Sequence, residues 1–285
     1  MYINEVIEII SKYHPPIDES RTCDVVKIGD PNQECTGVVT TVFASVEVIR
    51  KAADLGANLI ICHEPLFYSD KDDQEWLQGN TVFEEKAALL KQHNIVVWRD
   101  HDRIHGGSPK REREHMDMVF YGIMQELGWA DYCIGFDKKP LLYEIPEKPV
   151  RELAAELIGK LGLTGARIVG SLDAKARKVF FCEHITGANW GGRQPDCEAI
   201  KEIEAGGYDV MIPFEIVDWT LSEYVRDAAQ LGKNKAIIEM GHFNVEEIAM
   251  KYMQVWLTEL LEGAVPVQFV QSGDSFTYFL PGGAD

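Results

Sequence analysis

Short apolar segments of strand length alternate with longer amphipathic segments along this chain of 285 residues. The apolar segments, most of them β-branched, lie at residues 24–28, 38–43, 58–62, 95–98, 141–145, 177–181, 208–212 and 235–239. Helical periodicity occupies residues 45–55, 75–93, 112–127, 197–205, 220–231 and 245–261. Strands that alternate with amphipathic helices fold into α/β sheets that are at least partly parallel. We therefore predict an α/β protein with largely parallel or mixed sheets.

A weakly patterned stretch between Gly128 and Pro149 divides the chain into two lobes of similar size. Gly135, Pro140 and Pro146 interrupt this stretch, and such residues are typical of linkers. We predict one α/β lobe from residues 1–130 and 235–285, and a second from residues 141–234 packed against it. Near the end of the chain, the apolar segments 265–270 and 275–280 flank a turn sequence and predict a hairpin.

Charge and composition exclude several functions. Acidic residues number 46 and basic residues 28, and the formal net charge of −18 repels a nucleic acid backbone. The first residues carry Asn4, Glu5 and Glu8 where a signal peptide is apolar, and no apolar segment approaches the roughly 20 residues of a membrane span. The six cysteines form no C-x-x-C pair, which is typical of reduced thiols. We expect a cytoplasmic protein that binds neither nucleic acid nor membrane.

Histidines gather at the ends of the predicted strands. Five of the eight occupy such positions: His63, His101, His105, His184 and His242. Open α/β sheets bind ligands at the carboxyl ends of their strands. Each histidine taken singly is better explained as a polar turn residue. Imidazoles and carboxylates that converge from several strands, however, form the ligand set of borderline divalent metals. Their number exceeds the needs of one tetrahedral zinc, so a site for two metals is predicted.

Several residues near these histidines fit purely structural roles. Asn244 and Glu247 fit a capping box, which would place His242 outside the last long helix. Cys62 precedes His63 in a strand and so points to the opposite face, which favours packing in the core over nucleophilic catalysis. The glycine-rich segment 186–193 could present backbone amides to a phosphate, or could be an ordinary turn.

The ordered motifs resemble a known family. GANLIICHEPLF, VVWRDHDRIHGG and IIEMGHFNVEE follow one another as in the dinuclear-metal hexameric proteins called GTP cyclohydrolase type 2 homologues, or NGG-interacting-factor-three-like proteins. The resemblance extends to Pro15, Pro16, Asp24, Gly29 and Glu215, and so spans nearly the whole chain. It implies a homo-oligomeric ring of six copies and two divalent ions such as zinc, iron or manganese. It also implies cyclohydrolase-like activity on a small-molecule substrate.

Two of the family's ligand motifs are altered in this chain. The family carries His-His-Pro, His-Thr-Asn-x-Asp and Gly-His-x-x-x-Glu, and only the third is intact here. Glu64 stands at the second histidine of the first motif, and His105 at the aspartate of the second. Such a paired exchange is expected if both positions face the same ions. The resemblance thus implies one site with five metal ligands: His63, Glu64, His105, His242 and Glu246.

We predict a metal-dependent hydrolase in which the lobe of residues 1–130 and 235–285 binds the metals. His101 and Glu215 are expected to move protons without binding an ion. A non-enzymatic metal-binding scaffold or partner-binding protein fits the same ligands, because structural and catalytic sites differ mainly in an open coordination position.

Overall fold

The computed structural model describes residues 1–107, 116–135, 141–182, 184–185 and 195–278. The helices of these residues are α1 (Ile3–Tyr13), α2 (Val46–Asp54), α3 (Thr81–Gln92), α4 (Asp102–Gly106), α5 (Met118–Leu127), α6 (Val150–Leu161), α7 (Pro195–Gly206), α8 (Leu221–Gln230) and α9 (His242–Leu260). The strands are β1 (Val26–Ile28), β2 (Val38–Thr41), β3 (Leu59–Cys62), β4 (Val96–Arg99), β5 (Cys133–Gly135), β6 (Leu142–Pro149), β7 (Arg167–Gly170), β8 (Lys175–Cys182), β9 (Val210–Pro213), β10 (Ala236–Glu239) and β11 (Val267–Phe269). The predicted helix 112–127 corresponds to α5, and its first residues, 112–115, lie outside the described residues.

The chain divides into two compact units. Unit 1 comprises residues 1–126 and 247–272, and unit 2 comprises residues 127–246 and 273–285. This division differs from the predicted lobes at residues 127–130, 235–246 and 273–285, all of which join unit 2. For residues 235–246 the reason is strand pairing, because β10 pairs in parallel with β9 and antiparallel with β7, both strands of unit 2.

Unit 1 contains a five-stranded sheet in the order β1-β4-β3-β2-β11. The strands β2, β3 and β4 are parallel neighbours, with Val38 opposite Leu59 and Leu59 opposite Val96. Only the edge strand β1 is antiparallel to its neighbour. The carboxyl ends of β3 and β4 therefore lie side by side, and the polar residues that follow them come together.

Buried apolar side chains hold the helices of unit 1 against this sheet. All residues of β3 and β4 are buried, and Ile60 and Val97 share a core cluster with Ile49 of α2 and Leu90 of α3. Cys62 belongs to the same cluster, which confirms the prediction that it packs in the core. Burial raises the pKa of its thiol to about 12, so it is not a nucleophile at neutral pH.

Unit 2 contains a six-stranded mixed sheet in the order β5-β6-β8-β9-β10-β7. The central strands β8, β9 and β10 are parallel, whereas β5, β6 and β7 pair antiparallel. Helix α6 is followed by Gly162, whose φ of +64° suits glycine. Two mixed sheets with helices confirm the predicted α/β class.

The predicted hairpin near the end of the chain is wrong. Of the predicted segment 265–270, residues 267–269 form β11, which pairs in parallel with β2, with Val267 opposite Val38. This segment adds an edge strand to the sheet of unit 1 and forms no hairpin with residues 275–278. Residues 275–278 form no strand, and residues 279–280 lie outside the described residues. In the described part of the chain, no helix combines the length and the apolar character needed to span a bilayer.

Candidate metal centre

Three imidazole rings meet at the carboxyl ends of β3 and β4 in unit 1. The ring centroids of His63 and His101 lie 4.7 Å apart, those of His63 and His105 lie 5.1 Å apart, and those of His101 and His105 lie 5.0 Å apart. Each ring offers a nitrogen within 4.8 Å of the others. His63 is fully buried, while His101 and His105 are half-buried. The structure thus joins two predicted ligands, His63 and His105, to a third imidazole.

Local structure places each of these rings. His63 directly follows β3, and His101 follows β4 after Asp100. The short helix α4 then brings His105 back to the same edge. The buried Asp24 carboxylate accepts hydrogen bonds from the backbone N–H groups of His101, Asp102 and Arg103 at 2.8–2.9 Å, and so holds the start of α4.

A second set of groups orients the three rings. His63 Nδ1 donates to the Asp100 carbonyl at 3.1 Å, and His105 Nδ1 lies 2.9 Å from the buried Asp117 carboxylate. His101 Nδ1 lies 2.9 Å from Asp102 Oδ1. With Nδ1 donating, the lone pair of each neutral imidazole is on Nε2. A histidine that binds a metal through one ring nitrogen typically donates a hydrogen bond from the other nitrogen to such an acceptor.

The electrostatics of this cluster favour a neutral imidazole at His101. Burial, together with the proximity of His63 and His105, lowers the pKa of His101 to about 4. Asp102 stays ionised, because hydrogen bonds from His101 and Thr22 outweigh the effect of burial and hold its pKa at about 2. A neutral imidazole is the form that binds a metal. His101 is therefore in its metal-binding protonation state near neutral pH.

Glu64 sits beside this cluster with a cationic neighbour. Arg99 Nη2 lies 4.0 Å from Glu64 Oε2, and Arg99 Nε donates to the His63 carbonyl at 2.9 Å. A further guanidinium nitrogen donates to the Asp70 carbonyl at 2.7 Å. Arg99 is almost fully buried, so it fixes the backbone that carries His63 and Glu64.

A second cluster lies at the carboxyl ends of the parallel strands in unit 2. Glu215 Oε1 lies 2.8 Å from His184 Nδ1, and Glu215 Oε2 lies 2.8 Å from His242 Nδ1. His242 Nε2 lies 2.9 Å from Oε2 of the buried Glu246. Hydrogen bonds from both histidines outweigh burial and hold the pKa of Glu215 at about 2. An acid this strong is ionised at neutral pH, which favours charge stabilisation or cation binding over proton transfer.

The start of α9 differs from the predicted capping box. The helix begins at His242, directly after Gly241 with its φ of +96°, so His242 and Glu246 are an i, i+4 pair within the helix. Asn244 instead donates from its side chain to the Met240 carbonyl at 2.6 Å. Glu247 accepts from the backbone of Ser272. The capping box is therefore wrong, because the helix starts three residues earlier than predicted.

Sequence reasoning missed three contributions to these clusters. His184 follows a strand but was not included among the ligands, and Asp117 and Arg99 had no assigned role. Of the predicted residues, the structure pairs His63 with His105 in unit 1, and His242 with Glu246 and Glu215 in unit 2. The convergence of all five ligands on one site stays a prediction. The segment 186–193 and Glu183 lie outside the described residues.

The donor sets of both clusters suit divalent transition metals. Three imidazoles in unit 1 match the three-histidine sets that hold catalytic zinc, and two imidazoles with one carboxylate in unit 2 match the two-histidine, one-glutamate set. A separate cavity of about 640 Å³ in unit 2 is lined by Arg167, Arg226 and Glu239 among others. None of the clustered histidines lines that cavity, so it is not the metal site.

Comparison with known proteins supports the resemblance in the motifs. The family profile of Duf34/NIF3 (NGG1p interacting factor 3) matches residues 1–275. A Clostridium perfringens protein called GTP cyclohydrolase 1 type 2 homolog is 25% identical over 251 residues, which are 86% of this chain and 87% of that protein. A Bacillus cereus protein related to NIF3 has a similar fold, with a TM-score of 0.70, 17% identity, and coverage of 98% of this chain and 99% of that one. The Staphylococcus aureus hypothetical protein SA1388 gives a TM-score of 0.69 at 18% identity, with the same coverage.

Proposed function

The chain belongs to the Duf34/NIF3 family, and on that basis we propose that it is a metal-dependent hydrolase with two bound divalent ions. The single observation that carries this proposal is the mutual contact of the His63, His101 and His105 rings at the carboxyl ends of two parallel strands. Each ring has an acceptor on Nδ1 that leaves Nε2 for a ligand.

The proposed ligands of the two ions are those expected from the motifs: His63, Glu64, His105, His242 and Glu246. The contact between the rings of His63 and His105 supports these two residues as ligands. The distance of 2.9 Å between His242 Nε2 and Glu246 Oε2 supports His242 and Glu246. Imidazole and carboxylate ligands favour zinc, iron or manganese. A divalent ion bound there supplies Lewis acidity for hydrolysis.

His101 is the proposed proton acceptor. Its low pKa keeps the ring neutral near pH 7, and Asp102 at 2.9 Å stabilises the charge that the ring gains when it accepts a proton. Its contact with His63 and His105 also makes it a candidate metal ligand. Its role is therefore either proton acceptor or metal ligand. Glu215 is retained as a charged group near His242 rather than as a proton donor, because it is ionised.

The proposed substrate is a small molecule with a hydrolysable ring or ester. The Clostridium perfringens relative carries the name of a GTP cyclohydrolase homolog, and hydrolysis of a nucleotide base ring is the corresponding proposal for this chain. We further propose a cytoplasmic homo-oligomer, with six copies as the expected number. Sedimentation at several protein concentrations tests that number, and a monomer would contradict it.

The test begins with chain purified without chelator and analysed for bound metal. We expect about two equivalents of zinc, iron or manganese, and a large loss in the double variant His63→Ala, His105→Ala. His93→Ala is the matched control, because His93 is an exposed histidine at the end of α3. Retention of all metal by the double variant would contradict the assignment.

Activity is then screened with nucleotides including GTP, cyclic amides and phosphoesters. We expect metal-dependent hydrolysis in at least one class, lost in the double variant and kept in His93→Ala. Bound metal without turnover in any class would favour the alternative, a non-enzymatic metal-binding oligomeric scaffold or partner-binding protein.

A further inference from the structure

His14 is a buried histidine of unit 1 that belongs to neither histidine cluster. It directly follows α1, and its side chain is fully buried. Its Nδ1 donates to the Gly107 carbonyl at 2.8 Å. Burial lowers the pKa of His14 to about 4, so the ring is neutral near pH 7 and Nε2 carries the lone pair. One hydrogen bond thus ties the end of the opening helix to the end of α4.

The helix α4, which carries His105, depends on contacts from outside itself. It has only five residues, Asp102–Gly106, and a helix of that length is not stable alone. The Asp24 carboxylate holds its start through three backbone N–H groups. The bond from His14 holds Gly107, the residue that ends it. The backbone position of His105 therefore follows from both contacts.

The other ring nitrogen of His14 faces the residue that orients His63. His14 Nε2 lies 3.9 Å from Asp100 Oδ2, which is beyond hydrogen-bond distance, and both side chains are fully buried. The backbone carbonyl of Asp100 accepts the hydrogen bond from His63 Nδ1. The His14 ring is thus in contact with the two chain segments that direct His105 and His63.

Aromatic rings surround His14 and fix its plane. Tyr13 and Trp256 meet it edge to face, with ring centroids at 5.3 and 5.6 Å, and stack on each other at 5.0 Å. Among the described residues, His14 Nε2 has no hydrogen-bond partner, and burying such an atom is costly. Leucine would pack here without that cost. Packing alone therefore does not explain a histidine at this position.

We propose that His14 is a positioning residue for the candidate metal centre in unit 1, acting through the Gly107 carbonyl on the end of α4 and so on the ring of His105. The inference rests on the proposed function, in which His105 binds a metal. His14 itself touches neither ion nor substrate in this role. Asp117 sets the rotation of the His105 ring, whereas His14 sets the backbone from which that ring extends.

Asparagine and leucine at residue 14 separate hydrogen bonding from packing. The two side chains have nearly the same shape, but only asparagine carries an N–H group, and its amide nitrogen can take the place of histidine Nδ1. If His14 serves packing alone, His14→Leu should be at least as good as His14→Asn. If it acts through Gly107, only His14→Asn should keep the properties of the unmodified chain.

The first measurement uses the full chain without metal. Long-range ¹H–¹⁵N NMR spectra show which nitrogen of each histidine ring carries the proton, and the signals of His105 are identified by their loss in His105→Ala. In the unmodified chain we expect the proton of His105 on Nδ1, facing Asp117. His14→Leu should shift these signals or mix the two tautomers, and His14→Asn should leave them unchanged.

The second measurement is Co²⁺ affinity, followed by visible absorption in the full chain. His14→Leu should weaken binding by about threefold to tenfold, less than the loss expected for a residue that contacts a ligand directly, and His14→Asn should stay within about twofold. Ile10→Ala is the control, because it removes buried packing from α1 and leaves the Gly107 bond in place. It should lower stability in urea without changing Co²⁺ affinity.

The outcomes separate this inference from the proposed function. Identical His105 signals in His14→Leu and His14→Asn would overturn the inference, and so would an equal loss of Co²⁺ affinity in His14→Leu and Ile10→Ala. His14→Gln, whose longer amide extends toward Asp100 instead, replaces His14→Leu if urea unfolding shows that the leucine variant does not fold. If the unmodified chain binds no Co²⁺, the proposed function fails, while the His105 signals still decide whether His14 positions that ring.

Discussion

His105 Nδ1 lies 2.9 Å from Oδ2 of Asp117, a carboxylate that is only 2% exposed. The other oxygen of Asp117 accepts from the backbone N–H of Val119 at 3.0 Å and so caps α5. One carboxylate thereby links the start of a helix to the orientation of a candidate metal ligand. The position of the His105 ring depends on a group that is not itself a predicted ligand.

Asp117→Asn should weaken metal binding without unfolding the chain. Asparagine still caps a helix, but its neutral amide no longer fixes and polarises the His105 ring, so a loss of about tenfold to 100-fold in metal affinity is expected. Competition with a chromophoric zinc chelator measures it. Asp54→Asn at an exposed position is the control, and equal affinity in the two variants would show that Asp117 has no such role.

The effects of Glu64→His and His105→Asp on metal retention should be non-additive. Glu64→His alone removes a neutralising carboxylate and places an imidazole near Arg99, so metal retention should fall by about tenfold or more. Adding His105→Asp restores the charge, and the double variant should retain more metal than the two single effects predict. Metal content of the four proteins after identical dialysis gives the coupling. Strict additivity would mean that the two side chains do not face the same ions.

Lys86 should make the stability of unit 1 depend on pH in the alkaline range. Its ammonium donates to the Leu66 carbonyl at 2.7 Å and lies 4.4 Å from the centre of the Phe43 ring, and burial lowers its pKa from 10.5 to about 8. Between these values the unfolded chain binds the proton more tightly than the folded chain. The free energy of unfolding contributed by this group should therefore rise as the pH increases through that interval.

Lys86→Met should remove that rise. Urea unfolding measures the free energy of unfolding at the two ends of the interval, about pH 8 and about pH 10.5. Between these pH values, the free energy of unfolding of the unmodified chain should rise by about 1–3 kcal/mol more than that of the variant. Lys51→Met, at an exposed lysine of α2, is the matched control. A gain of the same size in both variants would mean that the Lys86 pKa is not lowered.

Gly29→Ala should destabilise unit 1 more than Gly56→Ala does. Both glycines have positive φ, +92° and +70°, but a Cβ at Gly29 would lie 2.9 Å from Val96 Cα, whereas a Cβ at Gly56 meets nothing within 4 Å. Gly56→Ala should cost about 1 kcal/mol from backbone strain alone, and Gly29→Ala about 2–4 kcal/mol because the backbone must also move. Equal costs in denaturant unfolding would exclude the contact with β4.

The sequence predicts the parts of this molecule that depend on local pattern. Apolar segments bounded by polar turns give β3 and β4, and hence His63 and His105 at one edge. The contact of their rings agrees with that expectation. The Asp117 partner of His105 is 12 residues away and shares no periodicity with it, so no pattern predicts the pairing.

Sheet membership is the main feature that the pattern could not supply. The strand β10 precedes a helix that ends in unit 1, and its composition is that of any buried strand. Its position is decided by its partners, because Ala236 pairs with Val210 on one side and Gly170 on the other. Helix α6 and strand β7 were also not predicted, since they follow a proline-interrupted stretch that weakens the pattern.

The pairing of β11 with β2 has a consequence for biosynthesis. Val267 lies opposite Val38, so β2 is synthesised long before its partner strand β11. Until then β2 is an edge strand of four buried residues with unpaired backbone groups, which is a template for aggregation. A nascent chain truncated before residue 267 should therefore depend on chaperones in a way that a chain containing β11 does not.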